Sequence, residues 1–91
     1  MAVEWDARKA TANLRKHGVD FGEAANALLD PQALAREDMS SVSEPRWVLV
    51  GMSERERLLA VVYSLGADER IRLISARKAT RKEQFFYAQA I

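Results

Sequence analysis

The chain has 91 residues, of which 48% are hydrophobic and 30% charged, and it contains no cysteine and a single histidine. This length fits one domain, residues 1–91, and the composition is that of a globular chain, not of a disordered one. No apolar run reaches the roughly 20 residues needed to span a bilayer, and the absence of thiols excludes disulfides and cysteine zinc sites. We therefore expect a cytoplasmic protein that makes no membrane contact.

The predicted N-terminal elements are an extended segment at 3–5 and helices at 7–16 and 20–30. Asp6 is a good N-cap for the first helix, and Gly18 suits the left-handed position that ends it. Asp20 begins the second helix, where Glu23 stands at the capping-box position. The dipeptide at 30–31, Asp-Pro, ends this helix.

The rest of the chain is predicted to form strands at 32–36, 47–52, 58–65 and 70–76, followed by a helix that Thr80 caps. A polar segment at 37–44 is expected to be an exposed loop, and Glu83 completes a capping box with Thr80. The expected fold class is α+β: two N-terminal helices, an antiparallel sheet of about four strands, and a C-terminal helix. The strands should form a meander with the helices on one face.

The formal net charge is only +1, but the charges are unevenly distributed. Residues 21–69 hold four arginines against nine acidic residues, whereas residues 70–91 hold six basic residues against one glutamate. A basic segment of this kind attracts an anionic partner even when the total charge is near zero. The alternative is a solvated helix start with no ligand.

Motifs for several other chemistries are absent. The four glycines lie far apart, so no glycine-rich phosphate loop is present, and no serine has a nucleophile motif around it. No paired histidines or clustered carboxylates have metal-ligand spacing. We therefore expect neither a metal site nor a cofactor.

Four cations lie within ten residues of chain, Arg72, Arg77, Lys78 and Arg81. Arginine presents a planar fork that matches phosphate oxygens, and a helix that begins near Thr80 adds N–H groups and a positive dipole end. The alternative for Arg72 is a surface ion pair, which is also the favoured interpretation of Arg70. Because Arg72 and Arg77 fall on opposite faces of an ideal strand, one phosphate could meet both only if the strand bulges near Ser75.

Cleavage of RNA needs no metal if the 2′-hydroxyl is the nucleophile, but it needs proton transfer and stabilisation of the charge on phosphorus. The candidates for proton transfer are His17, Glu54 and Tyr87, of which histidine is the type best suited to neutral pH. The structural alternatives are a helix-terminal His17, a solvated Glu54 and a packed Tyr87. Further candidates are the cations Lys9 and Lys16, which could contact phosphates, and Trp5 and Trp47, which could stack on bases or belong to the core.

The sequence resembles the BrnT family of toxins over nearly its whole length. Four segments carry the resemblance: 5–9 (WDARK), 13–24 (NLRKHGVDFGEA), 57–63 (RLLAVVY) and 71–83 (IRLISARKATRKE). The resemblance implies a ribonuclease toxin of a type II toxin–antitoxin system, with a fold similar to RelE, that inhibits translation. It also implies neutralisation by a BrnA-type antitoxin, through which the complex binds operator DNA.

The family's functional positions carry over to Lys9, His17, Arg72, Ser75 and Arg77, with Glu54 as a further catalytic candidate. Relatives often have a glycine just before Arg57, where this chain has Glu56. The residues expected to bind RNA are Lys16, Lys78, Arg81 and Tyr87. The alternative function is a non-catalytic module that binds RNA or a protein through the same basic surface.

Overall fold

The described part of the chain contains eight secondary-structure elements, in the order that the sequence predicts. The computed structural model describes residues 2–39 and 44–89. The elements are β1 (Val3–Glu4), α1 (Ala7–His17), α2 (Phe21–Ala27), β2 (Leu34–Asp38), β3 (Arg46–Met52), β4 (Leu58–Leu65), β5 (Ile71–Lys78) and α3 (Arg81–Gln89). Strand β2 lies two residues later than the predicted strand at 32–36, so the first two positions of the loop expected at 37–44 belong to the strand. Positions 40–43 of that loop lie outside the described residues.

The strands form a five-stranded sheet in the order β1-β5-β4-β3-β2. Strands β2 to β5 are an antiparallel meander, as expected, but the prediction of a wholly antiparallel sheet of about four strands is wrong. The extended segment at the N-terminus pairs in parallel with β5, through Val3 opposite Ile71 and Glu4 opposite Arg72. This pairing gives hydrogen-bond partners to the start of a strand that would otherwise be an open edge.

Helices cover both faces of the sheet, and the prediction that all of them pack on one face is wrong. Helices α1 and α2 pack on the face that carries Leu49, Leu59 and Val61, whereas α3 packs Tyr87 on the face that carries Val48 and Ala60. The physical reason is that β3 and β4 are apolar at consecutive positions, which point to opposite faces of the sheet. Both faces therefore carry apolar side chains that are stabilised by burial under a helix. Among the described residues, no helix is long and apolar enough to cross a membrane.

Most of the predicted helix-terminal features are confirmed, but α2 ends at Ala27, three residues before the Asp30-Pro31 dipeptide that was expected to end it, because Leu28 is already its C-cap. The Asp6 carboxylate accepts a hydrogen bond from the Arg8 N–H at 2.7 Å, and Gly18 ends α1 with φ of +70°. The Thr80–Glu83 capping box is reciprocal, with hydrogen bonds of 2.8 Å and 3.2 Å. Asp20 caps α2, but Glu23 does not complete a box with it, because its carboxylate is used elsewhere.

The Glu23 carboxylate is buried and forms the polar centre of the α2–β4 contact. It accepts hydrogen bonds from Ser53 Oγ at 2.7 Å and from Arg57 Nε at 2.8 Å, and the Arg57 Nη2 atom contacts its second oxygen. These donors, above all Arg57, lower the pKa of Glu23 to about 2. Arg57 also donates to the Gly18 carbonyl at 3.2 Å, so the ion pair ties the end of α1 to the same point.

A second buried polar side chain, Asn13, joins α1 to the outer edge of β5. Its amide nitrogen donates to the Ala76 carbonyl at 2.9 Å and to the Val19 carbonyl at 3.0 Å. Its amide oxygen accepts from the Ala76 N–H at 3.0 Å. The side-chain amide thus makes with Ala76 the pair of hydrogen bonds that a neighbouring strand would make.

Replacing Asn13 is expected to destabilise the fold. Asn13→Ala leaves the buried Ala76 peptide and the Val19 carbonyl without partners, at a cost of about 2–3 kcal/mol in the free energy of unfolding. Asn13→Asp keeps the size and one acceptor but loses both donated bonds, so its cost should be at least as large. Urea unfolding followed by tryptophan fluorescence measures this, with Thr11→Ala on the exposed side of the same helix as the control. Equal stability of Asn13→Ala and the control would contradict the expectation.

The buried Glu23–Arg57 pair predicts a specific pH dependence. Because the pKa of Glu23 is lowered from 4.5 to about 2, its contribution to stability is complete above pH 4.5 and is lost as the pH falls towards 2. Arg57→Met leaves the buried Glu23 carboxylate without its cationic partner and should lower the free energy of unfolding by about 3 kcal/mol at neutral pH. This deficit should shrink on acidification, because protonation removes the unpaired charge.

The matched control is Arg55→Met, since Arg55 lies 3.9 Å from the same carboxylate but its side chain is 68% exposed. Arg55→Met should lower the free energy of unfolding by less than about 1 kcal/mol. Glu83 also has a lowered pKa, to about 2, and is present in both variants, so the difference between them isolates Glu23. Similar losses in the two variants would mean that Glu23 does not depend on Arg57.

Candidate functional site

A groove runs between α1 and the middle of β5. It has a volume of about 260 Å³ and is lined by Lys9, Ala12, Asn13, Lys16, His17, Ile74 and Ser75. The helical members fall on one side of α1 because they stand at i, i+3, i+4, i+7 and i+8. The structure therefore brings together four of the residues predicted from the sequence: two lysines, the single histidine and Ser75.

Local structure explains why the histidine stands at the end of this groove. His17 is the last residue of α1, and the N–H of Gly18 returns to the Leu14 carbonyl at 2.9 Å. Lys16 and His17 are in the last turn, where cations interact favourably with the helix dipole. Asn13 lies between Lys9 and His17 on the same side of α1, and its bonds to Ala76 fix their distance from β5.

The sequence analysis gave a bulge near Ser75 as the condition for one phosphate to meet both Arg72 and Arg77, and a bulge is present there. Ser75 is opposite Val62 while Leu73 is opposite Tyr63, so Ile74 is the extra residue of β5. Through this bulge Arg72 and Arg77, opposite Ser64 and Ala60, come to the same face of the sheet. Four residue steps along β4 still separate their positions, about 13 Å at 3.3 Å per residue, and each arginine is paired with a different carboxylate, Arg72 with Glu4 and Arg77 with Glu83.

Arg77 has its own partner on α3. Its two terminal nitrogens donate to the two oxygens of Glu83 at 2.7 Å and 3.0 Å, and the first also donates to the Lys78 carbonyl at 3.3 Å. The same carboxylate caps α3, and the bonds from Arg77 contribute most to lowering the pKa of Glu83 to about 2. In this structure Arg77 therefore connects the end of β5 to the start of α3.

A second hollow adjoins the groove and shares Lys9 with it. It lies where β1 ends and the chain turns into α1, has a volume of about 280 Å³, and is lined by Glu4, Trp5, Asp6, Lys9, Arg72 and Leu73. Arg72 is 62% exposed and its Nη2 atom lies 3.3 Å from Glu4 Oε1, so Glu4 is its partner in a surface ion pair. Arg70 pairs with Asp68 and Glu4 at 3.2 Å and 3.8 Å, which confirms it as a surface charge.

Trp5 and Trp47 differ in exposure. Trp5 is 41% exposed and makes a perpendicular contact with the ring of Phe21, their centroids 6.1 Å apart. Trp47 is partly buried and packs against the core on the α1–α2 face. Trp5 is therefore the tryptophan that borders a hollow.

The other predicted residues lie elsewhere. Glu54 borders a separate hollow beside α2, in a turn where Glu56 adopts φ of +59°, the left-handed conformation that glycine adopts without strain. Lys78 and Arg81 are exposed, the former near the start of α3. Tyr87 is buried and donates a 2.5 Å hydrogen bond to Asp30, which contributes most to raising the pKa of the phenol to about 12.

The sequence analysis assigned no role to two residues that shape this surface. Asn13 holds α1 beside β5, and Glu4 pairs with Arg72. Asn13 opens the segment 13–24 that carries the family resemblance, whereas Glu4 lies in none of the four segments. Within the described ranges, no three histidine, aspartate or glutamate side chains are grouped closely enough to hold a metal ion.

Two comparisons with known proteins find matches for this chain. The family model for the "ribonuclease toxin, BrnT, of type II toxin-antitoxin system" matches residues 5–83. Among solved structures, the chain is similar to the Brucella abortus ribonuclease toxin BrnT, determined at 1.1 Å resolution. The identity is 25%, the alignment covers 89% of this chain and 99% of that one, and the TM-score is 0.65. No curated protein matches the chain. Because the family model spans most of the sequence, the chain belongs to the BrnT family of ribonuclease toxins of type II toxin–antitoxin systems.

Proposed function

We propose that this chain is a metal-independent endoribonuclease whose reacting phosphate binds in the groove between α1 and β5. The observation that carries the proposal is the convergence of Lys9, Lys16, His17 and Ser75 on one groove. Two cations, a group able to transfer protons and a hydroxyl are the side chains that 2′-hydroxyl attack on a phosphodiester requires.

The proposed reaction is an internal transesterification. The 2′-oxygen attacks the adjacent phosphorus, the bond from phosphorus to the 5′-oxygen breaks, and the products carry a 2′,3′-cyclic phosphate and a 5′-hydroxyl. Lys9 and Lys16 stabilise the added negative charge on the phosphate oxygens, and Ser75 donates a hydrogen bond to them. The 2′-oxygen loses one proton and the leaving 5′-oxygen gains one, so the reaction takes up and releases no net proton, and His17 takes part in this transfer.

Other predicted residues have different proposed roles. Arg72, across the hollow that shares Lys9, binds the nucleotide next to the reacting phosphate. Lys78 and Arg81 are exposed cations that attract the RNA backbone over a longer range. Arg77 anchors α3 through Glu83, and Tyr87 stabilises the core, so neither is assigned a contact with RNA. Glu54 borders a different hollow and is assigned no proton transfer.

The proposed biological role follows the family. The toxin acts in the cytoplasm, where RNA cleavage inhibits translation. Its partner is a BrnA-type antitoxin, and the chain meets operator DNA only within that complex. Membership of a family of type II toxins supports an antitoxin partner and an RNA target.

A non-catalytic module that binds RNA or a protein through the same groove is the second candidate. One observation favours it: of the three candidates for proton transfer, only His17 lies in the groove. Metal-free transesterification needs a proton removed from the 2′-oxygen and another delivered to the leaving oxygen. Binding alone needs neither.

The first expected outcome separates these candidates. Purified protein at micromolar concentration should cleave RNA in EDTA, leave 2′,3′-cyclic phosphate ends, and fail to cleave an RNA with a 2′-deoxy substitution at the reacting nucleotide. Gel analysis and mass spectrometry of the ends measure this. Binding without cleavage, with and without ribosomes present, would favour the non-catalytic module, and cleavage that EDTA abolishes would contradict metal independence.

Substitutions on α1 test the groove with matched controls. Lys9→Gln and Lys16→Gln should each slow cleavage at least tenfold, since each removes a cation from the phosphate, whereas Arg8→Gln and Arg15→Gln change the same charge outside the groove lining. His17→Gln should slow cleavage by about 10²-fold or more and alter its pH profile. Single-turnover rates on a defined RNA provide the measurement, and circular dichroism confirms folding. Equal effects of neighbouring cations, such as Arg15 and Lys16, would place the site elsewhere.

A further inference from the structure

The hollow at the end of β1 combines an aromatic ring with a hydrogen-bonding pair of opposite charge. We propose that it binds a guanine base of the RNA, with Trp5 stacking on the base and Glu4 and Arg72 recognising its edge. This inference rests on the proposed ribonuclease function, because it names the nucleotide bound beside the reacting phosphate. The hollow shares Lys9 with the groove, so a nucleotide in it is adjacent to the phosphate that the groove holds.

The size and position of the hollow suit a single base. Its volume of about 280 Å³ lies just below the range of roughly 300–1,000 Å³ for drug-sized ligands. Trp5 is 41% exposed and contacts Phe21 at an interplanar angle of 83°. In a perpendicular contact Phe21 covers at most one face of the indole, and the proposed base stacks on the other.

The pair of Glu4 and Arg72 matches the edge of guanine. Around this edge, guanine presents two acceptors, N7 and O6, and then two donors, the N1–H and the N2 amino group. A guanidinium beside a carboxylate presents two donors and then two acceptors, and Arg72 and Glu4 lie side by side on paired strands at 3.3 Å. Adenine, cytosine and uracil do not present two acceptors followed by two donors.

Both members of the pair are available to a ligand. The side chains of Glu4 and Arg72 are 42% and 62% exposed, and Glu4 also lies 3.8 Å from the exposed Arg70. Exposed ion pairs of this kind are weak, so they rearrange readily when a ligand binds. The other carboxylate in the hollow, Asp6, is held at the start of α1, because its Oδ1 atom accepts hydrogen bonds from the N–H groups of Arg8 and Lys9. Glu4 is the carboxylate that lies beside Arg72, so it is the acceptor that the base would meet.

A test by binding comes first, because it does not depend on catalysis. Titration of the full chain with 5′-GMP, 5′-AMP, 5′-CMP and 5′-UMP, followed by the Trp5 indole NMR signal, should show GMP binding at least tenfold tighter than the others. Glu4→Gln should remove this preference, because the amide loses an acceptor and presents a donor to the N1–H. The matched control is Asp68→Asn, which alters another exposed carboxylate paired with an arginine but outside the hollow.

The second arm maps cleavage sites on a mixed-sequence RNA. Wild type should cut at sites with guanine at one fixed position, and Glu4→Gln should cut without that preference. Equal binding of the four nucleotides, or a guanine preference that survives Glu4→Gln, would overturn the inference. Glu4 and Arg72 would then be a surface ion pair with no role in base recognition. Cleavage by wild type without base preference would overturn it and leave the ribonuclease function standing. Absence of cleavage with a Glu4-dependent preference for GMP would support the guanine site and overturn the catalytic function.

Discussion

The hydrogen-bonded pair between the Asn13 side chain and the Ala76 peptide is the constraint on which the candidate site depends. Strand β1 covers only the first two residues of β5, and no other strand in the described part of the chain lies along the rest of that outer edge. Asn13 supplies the missing donor and acceptor at Ala76 and is itself buried. Because α1 is held at this point, its groove side meets β5 where the strand bulges. The position of the groove is thus a consequence of satisfying one edge peptide.

The bulge at Ile74 has two consequences for the surface. It shifts the register so that Arg72 and Arg77 share one face, which an unbroken strand would not allow. It also places an irregular stretch of backbone opposite α1, where Ile74 and Ser75 line the groove. Bulges often occur beside functional sites because they redirect side chains without ending the strand. In this structure the bulge redirects the side chains that follow Ile74, near the position where the sequence analysis considered one.

Ion pairs divide the basic residues into two groups with different tasks. Arg57 and Arg77 are partly buried, each bonded to a carboxylate whose pKa is lowered to about 2, and each connects two elements of the fold. Arg72 is exposed and only loosely paired, and Lys9 and Lys16 line the groove. This division explains how a chain with a formal charge of +1 presents a cationic groove. The strongest ion pairs connect elements of the fold, and the cations that line the groove are not part of them.

The sequence by itself determined the local structure. The order of the elements, the caps at Asp6 and Thr80 and the end of α1 at Gly18 depend on residues one to four positions apart, so composition and spacing predict them. The same spacing put Lys9, Lys16 and His17 on one helix. The family resemblance added the ribonuclease assignment and singled out Ser75.

Only the tertiary structure decided how these pieces meet. The parallel pairing of β1 and the position of α3 on the second face depend on contacts between distant segments. The same is true of the Asn13–Ala76 bonds, which join residues 63 apart, and of the Glu23–Arg57 pair, whose members are 34 apart. Whether an arginine is free or paired depends on which carboxylate the fold brings beside it, and for Arg72 and Arg77 no local pattern specifies that partner.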